Sequence, residues 1–233
     1  MIRIFLLTAV FSLVTASFAQ NTPQVVKAVG AGIEDVVLSP LNTVSIRDVI
    51  DFNSVNKAMI ELAKLNAVRG LASYPLYLVI NSPGGSIDAG MTFINFAKNI
   101  RNLKTLTIFG ASMASAIAQQ LPGERLIIGT GTMMFHRASS QCRGSVENGE
   151  METCLEYTKA IVQDLESKNS IRIGISIKDY KEKVVAEWWI FGDNNVRANT
   201  ADRVVNLICA MNLIKLNDSG RSACPLIDVL YEE

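Results

Sequence analysis

A continuous apolar run at residues 76–80, with the sequence LYLVI, places the strongest restriction on how this chain can fold. Apolar residues fill consecutive positions instead of alternating with polar ones, which is typical of a buried strand in a parallel sheet. The run leads directly into the sequence NSPGG at residues 81–85. Paired glycines after a proline are a strong turn signal. The sequence therefore predicts a buried parallel strand that ends at a sharp turn.

Helical and extended segments alternate along most of the chain. Apolar residues at helical spacing predict helices, and short apolar runs predict strands. The predicted helices are 54–66, 91–100, 111–121 and 151–165, and the predicted strands are 76–80, 103–109, 126–128, 133–135, 189–191 and 204–208. Strands that alternate with helices of this length predict α/β architecture with right-handed crossovers. One domain accounts for the whole series.

The first residues have the pattern of a secretory signal peptide. Arg3 is followed by an apolar run at residues 4–14 and by small residues up to Ala19. The apolar run is shorter than the roughly 20 residues that span a bilayer, so we expect cleavage after Ala19 rather than an uncleaved anchor. The predicted organisation is a signal peptide at 1–19, an N-terminal leader at 20–42 and one domain at 43–233. We expect a periplasmic or secreted protein without a membrane span after cleavage.

Export changes how the cysteines are interpreted. The chain has four of them, Cys142, Cys154, Cys209 and Cys224, and an even number in an oxidising compartment predicts disulfides. Four cysteines allow three connectivities. The sequence-local pairs Cys142–Cys154 and Cys209–Cys224 are favoured because each closes a short loop. Free buried thiols are the alternative.

Charge and histidine content exclude several classes of function. Lys+Arg and Asp+Glu each number 22, so the formal net charge is zero. Nucleic-acid binding needs clustered positive charge, and we therefore expect no nucleic-acid partner. His136 is the single histidine, which excludes metal sites built on two or more histidines. Any acid–base chemistry that uses an imidazole must use His136.

Three segments carry residues suited to catalysis. The glycine turn that includes Gly85 can point backbone N–H groups into a cleft. Ser112 lies in the sequence GASMAS between a predicted strand and a predicted helix, and a helix N-terminus offers unpaired N–H donors to a developing oxyanion. His136 directly follows the apolar run MMF. Each segment alone also has an ordinary interpretation, as a turn, a helix N-cap and a structural histidine.

The three segments together, in this order, resemble the proteolytic subunit of the Clp protease, within the Clp/crotonase-like serine peptidases. The resemblance extends from about Thr43 to Ile208 and rests on LYLVINSPGGSIDAGM, on ASM around Ser112, and on MMFH ending at His136, 24 positions later. It implies repeated β-β-α units, a mainly parallel sheet and a protruding handle helix, matched here by 151–165. The stretch 137–150 occupies the place of the family's substrate-binding hairpin.

The resemblance implies a role for each candidate. Ser112 would be the nucleophile and His136 the general base that accepts its proton. The backbone N–H groups of Gly85 and Met113 would form the oxyanion hole. Glu187, which precedes the apolar sequence WWIF, occupies the place of the family's aspartate and would orient the imidazole.

Two departures from the family pattern leave alternatives open. The turn before Ser112 is shorter than in the family, because Gly110 lies only two positions ahead of the serine. A shifted alignment would make Ser115 the nucleophile. Asp193 and Asp179 are the alternatives to Glu187 as the third group. No lysine lies in the three segments, which argues against a Ser–Lys dyad.

The resemblance implies a serine endopeptidase that acts on peptides or unfolded proteins through an acyl-enzyme, without a cofactor or a metal. It also implies a homo-oligomeric ring. Family members receive chains from an ATP-driven unfoldase, but an exported protein lacks that ATP supply, and this chain has no P-loop. We therefore expect ATP-independent cleavage. The alternative functions are a catalytically inactive scaffold or binding protein with the Clp/crotonase fold, and an acyl-CoA enzyme of that fold.

Overall fold

The computed structural model describes residues 33–70, 74–138, 149–210, 212 and 224. Within this part of the chain, strands and helices alternate as the sequence predicts. In chain order they are β1 (Glu34–Leu38), β2 (Thr43–Ile50), α1 (Phe52–Arg69), β3 (Leu76–Gly85), α2 (Ile87–Ala97), β4 (Leu103–Ala111), α3 (Met113–Gln120), β5 (Arg125–Phe135), α4 (Glu150–Ile173), α5 (Ile177–Lys183), β6 (Trp188–Phe191), α6 (Asn194–Arg197) and β7 (Arg203–Cys209).

The strands form one mainly parallel sheet. Its order is β1-β7-β5-β4-β3-β2, and every neighbouring pair on this path is parallel. Among the described strands, β6 alone lies off the path, and it pairs antiparallel with β5. The α/β architecture predicted from the alternating segments is confirmed. Because parallel strands share a direction, β3, β4 and β5 end at the same edge of the sheet, where the glycine turn, Ser112 and His136 follow them.

The sequence predicts two short strands at 126–128 and 133–135, whereas the structure has one strand there, β5. The chain stays extended from Arg125 to Phe135, but its register against β4 jumps between Ile127 and Thr132. The first half of β5 pairs with β7 and the second half with β6. The glycine-rich stretch is therefore an irregularity inside one strand. Beyond this irregularity, β6 replaces β7 as a neighbour of β5, just before His136.

Hydrophobic cores lie on both faces of the sheet. In β3, side chains alternate between the two faces, so that Leu78 and Ile80 join the larger core beneath the helices, whereas Val79 joins a smaller cluster on the opposite face. Cys224 is 1% exposed and packs into the smaller cluster. A disulfide between Cys209 and Cys224 joins this residue to the end of β7, with 5.8 Å between the two Cα atoms. This predicted pairing is present in the structure.

Several predictions concern residues outside the described part of the chain. The signal peptide at 1–19 lies there, as do Cys142 of the predicted Cys142–Cys154 pair and most of the predicted substrate-binding hairpin. The predicted leader at 20–42 overlaps the described residues, and there it contains β1, which pairs with β7 in the main sheet. The sheet therefore begins before residue 43. Among the described helices, none has the length and apolarity to cross a membrane.

Helix α4 extends beyond its predicted end at residue 165. Its buried residues lie in the second half, from Leu165 to Ile173. In the first half, Leu155 is 44% exposed and Tyr157 is 58% exposed. Side chains of the first half are thus more exposed than those of the second half within the described part of the chain.

Candidate active site

The backbone at Ser112 forms a sharp turn between β4 and α3. Ser112 has φ 57° and ψ −122°, a left-handed conformation that is strained for any residue with a side chain. Its N–H donates to the Met134 carbonyl at 2.9 Å, and its own carbonyl accepts from the Ala116 N–H at 3.2 Å. These two bonds hold the strained residue between β5 and the first turn of α3. A sharp turn from a strand into a helix exposes its side chain at the edge of the sheet, as in the turns that carry a serine nucleophile.

The side chain of Ser112 contacts His136. The Ser112 Oγ lies 2.7 Å from the His136 Nε2, which is the distance of a good hydrogen bond. Ser112 occupies the N-cap position of α3 but makes no capping hydrogen bond through its side chain. The interpretation of Ser112 as an ordinary N-cap is therefore wrong. A hydroxyl bonded to an imidazole nitrogen is the arrangement that activates a serine nucleophile.

Packing of the neighbouring residues fixes the position of His136. The preceding residue, Phe135, is buried and its ring lies 5.4 Å from Trp188 and 6.3 Å from Tyr180, measured between ring centroids. The following residue, Arg137, donates its N–H to the Val184 carbonyl at 3.2 Å. The imidazole is thus attached to a backbone that is anchored on both sides.

Ser115 has a structural role. Its side chain is fully buried, and its Oγ lies 2.6 Å from the Gly110 carbonyl and 2.9 Å from the Met134 carbonyl. The hydroxyl thus joins the end of β4 to β5 behind the turn of Ser112. The shifted alignment that made Ser115 the nucleophile is therefore wrong, because the hydroxyl that meets His136 belongs to Ser112.

Ser115→Ala is expected to lower stability and to spare the chemistry. The substitution removes a buried hydrogen-bond donor and leaves a carbonyl without it, which typically costs about 1–3 kcal/mol of unfolding free energy. Urea unfolding would measure that loss. Covalent labelling of Ser112 by a fluorophosphonate, per folded molecule, should stay within a few-fold of the unsubstituted protein. Loss of labelling in folded Ser115→Ala protein would contradict this assignment.

The glycine turn lies directly against the Ser112 residue. A Cβ atom built on Gly84 would be 2.7 Å from the Ser112 Cβ and 2.6 Å from the Ala111 carbonyl oxygen. Only a residue without a side chain allows this approach. Gly84 has φ 96°, and its N–H donates to the Ser82 Oγ at 3.1 Å. Gly85, the next residue, has φ 148°. The structure thus brings the glycine turn, Ser112 and His136 together.

The backbone N–H of Met113 is suited to stabilise a negatively charged group. Met113 is the first residue of α3, and the first N–H groups of a helix have no partner within the helix. They also lie at the positive end of the helix dipole. The N–H of Met113 therefore lies one residue from the Ser112 hydroxyl, at the helix end where an oxyanion is favoured.

Glu187 lies near His136 along the sheet but does not bond to it. The pairing of β5 with β6 ends at Phe135 opposite Trp188, so one further step would place Glu187 opposite His136. The Glu187 carboxylate instead accepts a hydrogen bond from the Trp189 indole N–H at 2.8 Å. Residues 187 and 189 point to the same side of an extended chain, which brings the indole within reach. Among the described residues, no carboxylate contacts His136.

The two other carboxylates considered from the sequence are engaged elsewhere. Asp193 forms an ion pair with Arg197 at 2.6 Å on α6. Asp179 receives a hydrogen bond from the Ser176 hydroxyl at 2.8 Å in the first turn of α5. Neither bonds to His136.

Two polar residues that the sequence did not single out lie beside the pair. A cavity of about 30 Å³ is lined by Ser112 and His136 and also by Asn169 and Tyr180. Asn169 and Tyr180 are 1% and 2% exposed, and the Asn169 amide donates to the Tyr180 hydroxyl at 3.1 Å. Burial raises the pKa of the Tyr180 phenol to about 12. No local motif marks these residues, because they reach the site from α4 and α5 through the tertiary fold.

The described residues contain no group of three or more His, Cys, Asp or Glu side chains that could hold a metal ion.

A protein family and several known proteins are similar in sequence to this chain. A sequence model of the Clp protease family matches residues 37–207. The proteolytic subunit of an ATP-dependent Clp protease from Streptococcus mutans is 23% identical over 159 residues, which cover 67% of this chain and 80% of that protein. The corresponding subunit from Streptococcus pyogenes is 22% identical over the same length, with the same coverage.

Proposed function

Because this chain belongs to the Clp protease family, we propose that it is a serine endopeptidase that cleaves peptides or unfolded proteins through an acyl-enzyme. The observation that carries this proposal is the 2.7 Å contact between the Ser112 Oγ and the His136 Nε2. Family membership supports a peptidase in general, and this contact supplies the nucleophile and the base that a serine mechanism needs.

The proposed reaction has two stages. The Ser112 Oγ attacks the carbonyl carbon of the scissile peptide bond while its proton passes to the His136 Nε2. The tetrahedral intermediate collapses, the C–N bond breaks, and the imidazolium gives the proton to the departing amine. A water molecule then attacks the ester while His136 takes its proton. The bond between the acyl carbon and the Ser112 Oγ breaks, the imidazolium returns the proton to that oxygen, and the second product leaves as a carboxylic acid. His136 ends the cycle in its starting protonation state.

Backbone donors would stabilise the oxyanion in both tetrahedral intermediates. We assign this role to the N–H groups of Met113 and Gly85. The unpartnered position of Met113 at the start of α3 and the close approach of the glycine turn to Ser112 support the assignment. A donor of this kind typically contributes about 3 kcal/mol to transition-state stabilisation.

We assign Glu187 the role of orienting His136 after a side-chain rotation. Its position one step beyond the Phe135–Trp188 pair supports this assignment, and the move would exchange the indole of Trp189 for the imidazole. An orienting carboxylate fixes the tautomer and stabilises the imidazolium.

Glu187→Gln is expected to lower kcat by about 10²- to 10⁴-fold, because an amide cannot stabilise the imidazolium as a carboxylate does. The measurement is peptide hydrolysis under single-turnover conditions. Asp193→Asn, which removes a carboxylate on the neighbouring helix α6, is the matched control and should leave kcat unchanged. Equal rates for both variants would show that Ser112 and His136 act as a dyad.

We also propose that the chain is exported, assembles into a ring and acts without ATP. The N-terminal pattern supports export, so the mature chain would begin at Gln20 in a periplasmic or extracellular space. The family supports a homo-oligomeric ring. The relatives named above are subunits of ATP-dependent proteases, whereas an exported chain without a P-loop would act without ATP.

Purified mature protein should therefore hydrolyse unfolded casein and short peptides without nucleotide. The exported form, recovered from the producing cells, should give an N-terminal sequence that starts at Gln20. A folded, oligomeric protein with no turnover of any of these substrates would favour an inactive scaffold.

A further inference from the structure

The cavity beside Ser112 and His136 has walls of two kinds. Its lining includes the apolar residues Ile87, Phe135 and Leu165 and the polar residues Asn169 and Tyr180. In a serine peptidase, a cavity next to the nucleophile receives the side chain of the residue whose carbonyl is attacked. The size and the polar groups of this cavity therefore bear on substrate choice.

The cavity is small. One water molecule needs about 10–15 Å³ of such space, and the cavity offers about 30 Å³. Roughly two non-hydrogen atoms fit. The space thus suits a short side chain better than leucine or phenylalanine, and its wall includes Phe135, which is 2% exposed and packs against two aromatic rings.

A chain of hydrogen bonds orients the polar groups. The Gln120 amide donates to the Asn169 Oδ1 at 3.1 Å, and the Asn169 Nδ2 donates to the Tyr180 hydroxyl at 3.1 Å. In this arrangement the Asn169 oxygen faces Gln120 and its amino group faces Tyr180. Gln120 is the last residue of α3, the helix that follows Ser112, so this hydrogen-bond chain connects Asn169 of α4 and Tyr180 of α5 to that helix.

The Tyr180 hydroxyl keeps a proton to donate. It accepts the hydrogen bond from Asn169, and among the described residues no acceptor meets its own O–H. A phenol is protonated at neutral pH, and burial raises the pKa of Tyr180 further, to about 12. A buried donor without an acceptor is costly, and a ligand that supplies one is therefore favoured.

We infer that this cavity selects a small side chain that bears a hydroxyl, as serine does, at the residue whose carbonyl Ser112 attacks, with Tyr180 as the donor that recognises it. This inference rests on the proposed function and adds the substrate preference. A site built to hydrogen-bond a substrate hydroxyl discriminates against an analogue without it, because the analogue leaves the donor of the site unpaired.

Three fluorogenic peptides test the inference. They share one sequence and one coumarin amide leaving group, and carry serine, 2-aminobutyrate or leucine before the scissile amide. Serine and 2-aminobutyrate have the same number of non-hydrogen atoms and differ in the hydroxyl. We expect kcat/KM for serine to exceed that for 2-aminobutyrate by about 10-fold or more, and leucine to be the poorest of the three.

Tyr180→Phe removes the donor and keeps the ring. The ratio of kcat/KM between serine and 2-aminobutyrate should fall toward one in this variant. Tyr157→Phe is the matched control, since Tyr157 is an exposed tyrosine on α4 whose hydroxyl bonds to Asp88, and it should keep the ratio. Fluorophosphonate titration of active sites and thermal unfolding confirm that each variant is folded.

The outcomes separate this inference from the proposed function. Turnover in which leucine is preferred, or in which Tyr180→Phe keeps the ratio, overturns the inference and leaves the peptidase intact. Absence of turnover with all three peptides and with casein overturns the proposed function and this inference with it.

Discussion

Ser112→Ala and His136→Ala are each expected to lower kcat for peptide hydrolysis by about 10⁴- to 10⁶-fold. The reason is the 2.7 Å contact between the two side chains. A serine hydroxyl is a weak nucleophile unless a base removes its proton during attack. Ser112→Ala removes the hydroxyl, and His136→Ala removes the imidazole that accepts its proton. Single-turnover hydrolysis of a fluorogenic peptide measures the loss.

The double variant provides the control for these two substitutions. Groups that act as a unit lose their effect together, so Ser112→Ala combined with His136→Ala should be about as slow as either single variant. A double variant that is much slower than either single variant would indicate that the two residues act separately. Because His136 is the only histidine in the chain, His136→Ala protein that retains its rate would contradict the proposed mechanism.

Gly85→Ala is expected to impair both catalysis and stability. A Cβ atom at this position would lie 2.3 Å from the Ile50 carbonyl oxygen and 2.9 Å from the Ile50 nitrogen. Both are backbone atoms of β2, so β2 and the end of β3 must separate. The φ of 148° adds strain for any residue with a side chain. Displacement of the proposed oxyanion donor should lower kcat by about 10²-fold or more, together with a lower Tm.

Gly129→Ala is the matched control for Gly85→Ala. Gly129 lies in β5 and does not have a positive φ, and a methyl group added to it would have no neighbouring atom within 4 Å. This variant should keep both its Tm and its kcat. If Gly85→Ala protein were as active as Gly129→Ala protein, the glycine turn would not supply an oxyanion donor.

Short local motifs explain why the contact between Ser112 and His136 could be predicted from the sequence. Apolar runs mark β3, β4 and β5, and the chemistry follows directly at the end of each run. Because the strands are parallel, residues that follow them meet at one edge of the sheet. The contact between Ser112 and His136 thus depends on features that a few consecutive residues define.

Features that depend on distant packing could not be predicted in the same way. The glycine-rich stretch of β5 indicated a turn, but pairing with β4, β7 and β6 keeps it within one strand. The hydrogen bond from the Trp189 indole to the Glu187 carboxylate depends on the rotamers of both side chains, which no local sequence pattern defines. Asn169 and Tyr180 reach the cavity only because α4 and α5 pack against α3 and the end of β5.

Covalent labelling of the mature protein by a fluorophosphonate probe, followed by peptide mapping of the adduct, tests the central claim most directly. The probe reacts with a serine that a neighbouring base activates. We predict one adduct, on Ser112, that is absent from His136→Ala protein and still forms in Ser115→Ala protein. An unlabelled protein that is folded and oligomeric, or an adduct on Ser115, would contradict the proposed catalytic pair.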